Sequence, residues 1–457
     1  MKRKWIRAIA AMLLLGLISA CTSKPEPPEE ITLTILYGGA REDFQRLYGE
    51  QFAEKYPHIT VNVIDLGQTD YYKSGSAEML IQLRDTYEAD IIQTNDYFLG
   101  DLIKDGKLVN LDTYIKSSNY DLSRLYPPVV DLIRQRGGGE LYGLSPYFGS
   151  SALYYNKSLF DQHGIDYPTD GMSWFDVLQL AMRFPTTDGM AGIYHRYDRG
   201  LFVLFSLSYN EGLRYSDSSG RKLVLDSPEW KRLWGTAMEA YRSGALKSVS
   251  SSPLPGKMIW EDEFLKNKLK GNLFAAGKSA MVVTDLTMVD EIKEFREQTP
   301  PLVPDFDWDI VTRPVSHSYP DALPWFDLHN VYAISTDSPH QAEAWELIRF
   351  MHGEESAKAI GAIEGYGYIP TMTSELRTHP DKNMEAFFKL KKLRADATAV
   401  SPLPKGFILY DLANKEIDAV LSNQKTADEA LMDLQLKGQE ALDAAWRKQE
   451  ASGDTTP

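Results

Sequence analysis

Cysteine is nearly absent: the 457-residue chain has 1, Cys21. A lone thiol excludes an internal disulfide framework and any cysteine-based metal site. Positive charge is also scarce. Lys and Arg number 49 against 64 Asp and Glu, a net charge of −15; without the 4 basic residues Lys2, Arg3, Lys4 and Arg7 it is −19. Such a surface lacks the basic footprint that nucleic acid requires and would not adhere to anionic lipid by charge. The apolar run Ala8–Ile18 is too short for a stable membrane-spanning helix, which needs about 20 residues.

Motifs for bond chemistry are missing too. There is no G-x-S-x-G elbow, and the 8 histidines form no H-E-x-x-H. Gly271–Ser279, GNLFAAGKS, has its first glycine one position too early for a phosphate loop, and a strand is expected where a helix should begin. Asp305-Phe306-Asp307-Trp308-Asp309 opens like a calcium loop but has Ile310 and Ser316 where glycine and glutamate belong, so a solvated acidic loop is expected and no metal or cofactor. Acid pairs of the kind used in glycoside hydrolysis are too common in sequence to decide anything.

What is present begins with a leader. Residues 1–20 combine a basic start, an apolar run and small residues before Cys21, which reads as a secretory signal. Ile18-Ser19-Ala20-Cys21 resembles a bacterial lipobox, which implies cleavage before Cys21 and a lipid (palmitate) on its thiol. TSKPEPPEE, the rest of the stretch 21–30, reads as a tether. The chain is too long for one ordinary core, so at least two domains are expected.

Ile31–Tyr37 alternates and is β-branched, the pattern of a strand; a helix is expected over 41–56, a second strand at 59–66, a helix around Leu80, and a buried strand at 89–94. This β-α-β-α-β order predicts a parallel sheet flanked by helices, in which ligands bind at the carboxyl ends of strands. Those ends are Tyr37 with Gly38-Gly39, and Asn95-Asp96. Leu141–Phe160, LYGLSPYFGSSALYYNKSLF, reads as strand, small-residue joint and strand, either a bulged strand pair or a crossing between lobes. Further expectations are a surface loop at 246–260, a long aromatic loop at 316–328, an aromatic loop at 365–371, and a helix opened by Ser338 as N-cap.

Three segments, YGLSPYFGSSALYYNKSLF, the run around FAAGKSAMVV, and NVYAISTDSPHQAEAWELIRFM, resemble the extracellular solute-binding proteins of ABC importers, in the cluster that includes maltose-binding proteins. The resemblance covers nearly the whole mature chain. It implies an α/β, two-lobed periplasmic-binding-protein-like fold, with each lobe a sheet flanked by helices and the lobes joined by crossover hinge segments. The implied lobes are 31–148 plus 315–352 and 149–314 plus 353–450, with a frayed tail at 451–457. The implied function is that of a lipid-anchored, extracytoplasmic, monomeric protein that captures a carbohydrate by hinge closure and delivers it to a permease. A surface-anchored polysaccharide-acting enzyme and a ligand sensor for a membrane receptor are the alternatives.

Sugars offer C–H faces to aromatic rings and hydroxyl rims to carboxylates and amides. The candidates are Tyr37, Tyr147, Trp325, Phe326 and Tyr366 as rings and Asn95, Asp96 and Asp285 as polar groups. Each ring suits a core equally well, and each polar group could cap a helix or turn. The family often carries a tryptophan just after the strand matching GKSAMVV; Thr284–Met288 has no aromatic, and Trp325 is the expected substitute.

Overall fold

The computed structural model describes residues 29–249, 261–298, 300–323, 328–363, 365, 367–376, 381–393 and 402–452. Cys21, Trp325, Phe326, Tyr366, most of the tether and the tail at 453–457 lie outside them. In chain order the strands are β1 (Ile31–Tyr37), β2 (Ile59–Asp65), β3 (Ile91–Thr94), β4 (Tyr147–Gly149), β5 (Ala152–Asn156), β6 (Ala191–His195), β7 (Leu246–Ser248), β8 (Ser279–Thr284), β9 (Trp308–Thr312), β10 (Ala322–Leu323), β11 (Val331–Ile334), β12 (Tyr368–Pro370) and β13 (Lys392–Leu393).

Two sheets dominate. The first has the order β11-β3-β1-β2: β1 lies parallel to β2 and β3, as the β-α-β pattern requires, and β11 returns antiparallel to β3. The second has the order β7-β6-β8-β5-β9, with β5 antiparallel to both its neighbours. Alternation along β5 shows how this second sheet is buried. Ala152 and Tyr154 belong to the hydrophobic cluster that fills the first sheet and continues across the seam, while Leu153 and Tyr155 belong to the cluster under helices Trp174–Ala181 and Pro228–Arg242. With both faces covered, its inner strands β5, β6 and β8 are mostly apolar.

The stretch from Leu141 is a crossing. Leu144 exchanges backbone hydrogen bonds with Tyr332 of the first sheet, at 3.1 and 2.8 Å. Three residues on, β4 pairs with β12, and beyond Gly149-Ser150-Ser151 the chain enters the second sheet as β5. Ser150 Oγ fixes the joint by donating to the Phe387 carbonyl at 2.7 Å.

Some local expectations are corrected. Leu246–Ser248 forms β7, because Ile193–His195 offers it a parallel edge. Tyr368–Pro370 and Ala322–Leu323 pair with β4 and β13, so neither region is entirely loop. Ser338 does not cap the next helix, which begins at Gln341; its hydroxyl donates to buried Asp90 at 2.6 Å instead. The box Thr426/Glu429 forms as expected, with Glu429 N–H donating to Thr426 Oγ1 at 3.2 Å.

The chain returns from β9 towards the first sheet through residues 313–330. Val315 N–H donates to the Met172 carbonyl at 2.9 Å, and beside it Glu211 accepts from Trp174 N–H at 2.9 Å. Burial pushes the Glu211 carboxyl from its ordinary 4.5 up to about 7, partly offset by the Trp174 N–H and by His317 and Arg232, with Asp176 adding to the rise. The folded chain therefore holds this proton where the unfolded chain has lost it. The associated stability is full below about 4.5 and is lost as pH rises through about 7. Glu211→Gln should raise the melting temperature at pH 8, by about 2–4 °C per kcal/mol of relief, and leave it unchanged at pH 5. Equal melting of both proteins at pH 8 would refute this.

Candidate functional site

The carboxyl end of β1 and the amino end of β11 meet the first crossing at a pocket. Tyr37, Gly38, Asp43, Arg46, Gln93, Tyr147, Asn330 and Tyr368 are among its walls, and its cavity volume is about 100 Å³. β1 delivers Tyr37 because an uninterrupted apolar strand ends there, and Gly38 follows because the chain must pass the Gln93 amide. A Cβ at Gly38 would stand 2.9 Å from Gln93 Nε2. Gln93 interrupts the apolar run of β3. Its Oε1 accepts from Gly38 N–H at 2.8 Å and from Tyr332 O–H at 3.2 Å, and its Nε2 donates to Asn330 Oδ1 at 2.5 Å.

Tyrosines make up much of the remaining wall. The rings of Tyr147 and Tyr368 lie 4.2 Å apart at 33°, and Tyr37 meets Phe44 edge-on at 5.4 Å. Burial raises Tyr48, Tyr147 and Tyr332 well above the usual phenol range, and repulsion from the neighbouring tyrosine hydroxyls adds to it. These phenols are neutral at any physiological pH. Tyr48 Oη is buried with no partner among the described residues. The charges at this pocket stand at the rim, where Arg46 pairs with Asp43 at 2.8 Å.

Three sequence candidates fall elsewhere or have local duties. Asn95 caps helix Asp96–Lys104, its Oδ1 accepting from Phe98 N–H at 2.9 Å. Asp96 is 3% exposed and pairs with Arg136 at 2.9 Å. Asp285 accepts from the Thr287 N–H at 3.0 Å and from its hydroxyl, at the start of helix Thr287–Arg296. Tyr37 and Tyr147 do line the pocket, though only 4% and 5% exposed. Trp325, Phe326 and Tyr366 lie outside the described residues. Among the described residues no cluster of His, Cys, Asp and Glu could hold a metal ion.

Sequence reasoning missed Gln93, Asn330 and Tyr368. A glutamine inside Ile91-Ile92-Gln93-Thr94 was the legible signal for the first. Tyr368 stands two residues beyond the candidate Tyr366, and only the β12–β4 pairing shows which tyrosine meets Tyr147. Two more rings stand out near strand ends. Tyr72 is 63% exposed with its hydroxyl donating to the Gly38 carbonyl at 2.9 Å, and Tyr97 is 50% exposed with the Arg136 guanidinium 5.8 Å from its ring.

Comparison with known proteins supplies the family. The family model described as bacterial extracellular solute-binding protein matches residues 48–389. The chain belongs to that family. It is similar to the arabinooligosaccharide-binding protein of Bacillus subtilis, 22% identical over 278 residues that cover 58% of this chain and 59% of that one. The sugar-binding protein MalE from Xanthomonas citri shares its fold, with a TM-score of 0.61 at 18% identity, over 92% of this chain and 99% of that one. So does an ABC substrate-binding protein from Listeria monocytogenes in complex with cycloalternan, with a TM-score of 0.57 at 20% identity, over 91% of this chain and 100% of that one. The family is one of binding proteins, and the two-lobed fold expected from the sequence is the fold of these neighbours. Extracytoplasmic location goes with the family, and among the described residues no helix is long and apolar enough to cross a membrane.

The Asp96–Arg136 pair gives a test of what a strand-end carboxylate does here. Asp96→Ala leaves a half-sequestered guanidinium without this partner and should cost about 3 kcal/mol of stability, read as a lower denaturation midpoint. An unchanged midpoint would show the pair to be structurally idle.

Proposed function

We propose that this protein captures a neutral oligosaccharide or sugar derivative in the tyrosine-lined pocket between two lobes and hands it to the permease of an ABC importer. The observation that carries the reading is the pocket wall itself: rings of Tyr37, Tyr147 and Tyr368 beside the side-chain amide of Asn330, with the charged groups among its described walls, Arg46 and Asp43, at the rim. Rings cover C–H faces, and amides and phenols meet hydroxyls without demanding a charge. The sugar-binding relatives support the ligand class. Binding needs only a difference in affinity between open and closed states, and no bond chemistry.

In this reading the lobes are 31–148 plus 315–352 and 149–314 plus 353–450, and the ligand lies in the seam. The loop leading into β12 touches both sides of it. Gly365 N–H donates to Asp290 at 2.7 Å on the helix that follows β8, while Tyr368 stacks on Tyr147. Rotation about Gly149–Ser151 would carry these groups onto a bound sugar. The protein would act as a monomer at the outer face of the cell membrane, held there by lipid on Cys21 through the tether.

Isothermal titration with arabinotriose, maltotriose and cycloalternan should find one that binds without being cleaved. Tyr147→Ala and Tyr368→Ala should each weaken it on the order of tenfold. Binding of a peptide but of none of these sugars would overturn the ligand class, and cleavage of the bound sugar would favour an enzyme. Cys21→Ser, expressed in a bacterium with a lipoprotein pathway, should move the protein from the membrane fraction to the medium or periplasm; retention on the membrane would refute the anchor.

A further inference from the structure

Hydrogen-bond direction around Gln93 can be followed step by step to the pocket. A backbone N–H can only donate, so the Gln93 atom 2.8 Å from Gly38 N is the amide oxygen. The Tyr332 hydroxyl at 3.2 Å donates to the same atom. The other end of the amide is then the nitrogen, which can only donate, and it faces Asn330 at 2.5 Å. The Asn330 atom that receives it is therefore Oδ1. Its Nδ2, on a residue in the pocket wall, has no partner among the described residues.

Reversing the relay is costly. Turning the Gln93 amide would set N–H against the N–H of Gly38 and give up the bonds from Gly38 and Tyr332, in a residue only 8% exposed. Buried Tyr332, neutral at working pH, has no ionised state that would change the direction. The polarity at Asn330 is thus set by a backbone group two side chains away.

We propose that Asn330 is a specificity-determining donor of this pocket and that Gln93 is the positioning residue that fixes its polarity. The matching ligand atom is an oxygen with a free lone pair: a hydroxyl, a ring or glycosidic oxygen, or a carbonyl. A protonated amino group at that position would meet N–H with N–H and be rejected. This rests on the reading of the pocket as the ligand site, and it narrows that reading from a polar ligand to one that accepts at a defined wall.

A double-mutant cycle by isothermal titration tests it, with whichever of arabinotriose, maltotriose and cycloalternan binds the intact protein as probe. Asn330→Ala should weaken binding on the order of tenfold, the loss of one donor to a bound acceptor. Gln93→Met should weaken it by about threefold or more in the Asn330 protein and not at all in the Asn330→Ala protein, because Gln93 acts only through Asn330. Thermal melting checks that each variant folds, and Gln93→Leu can replace Gln93→Met in the same cycle. Wild-type affinity in Asn330→Ala overturns the donor. Losses that multiply in the double variant overturn the relay. If no probe binds, or if Tyr147→Ala and Tyr368→Ala bind as the intact protein does, the pocket reading itself falls and takes this inference with it. A failed cycle with the tyrosine effects intact defeats the relay alone.

Discussion

The side-chain amide of Gln93 ties the cleft together. It reaches Gly38 at the end of β1, Tyr332 in β11 and Asn330 just before it, from a position in β3 between them. A buried amide with unmet groups would be expensive, and this one has partners for both ends. The neighbouring features follow from it. A Cβ at residue 38 would stand 2.9 Å from the amide nitrogen, so any larger residue there would push the amide off its partners. Tyr332, held to the amide by its hydroxyl, also holds the crossing through its two backbone bonds to Leu144.

From that crossing the architecture of capture follows. The chain leaves the first sheet at Leu144, pairs as β4 with β12, and becomes an inner strand of the second sheet within a few residues. A crossing this short, with small residues at 149–151, is the joint about which the proposed closure would turn. The apolar cluster that runs from the first sheet onto one face of the second keeps the bodies in register. Tyr147 and Tyr368 sit where the chain crosses, so in the proposed reading the ligand and the joint share the same side chains.

Much of this was legible in the residues. The alternation of Ile31–Tyr37 and the β-α-β order gave the parallel sheet, and Leu141–Phe160 gave the crossing. Family motifs supplied the two-lobed fold. Tyr37 and Tyr147 were picked out because strand ends and crossings are positions that sequence pattern locates, and both line the pocket. Asn95 and Asp285 were ambiguous because a short polar side chain after a strand looks the same whether it caps the next helix or faces a ligand; both accept hydrogen bonds at helix starts. Asp96 was ambiguous for a different reason: its partner Arg136 is 40 residues away. Asn330 and Tyr368 were hidden because long-range pairings, β11 with β3 and β12 with β4, bring them to the pocket. No local pattern carries that information.

The most direct test of sugar capture in this pocket is a crystal structure of the protein with whichever of arabinotriose, maltotriose and cycloalternan binds it. The account predicts sugar density between the rings of Tyr147 and Tyr368 and the amide of Asn330, with an oxygen of the ligand at hydrogen-bond distance from Asn330 Nδ2. Density at a surface remote from these residues, with the pocket unchanged, would contradict it.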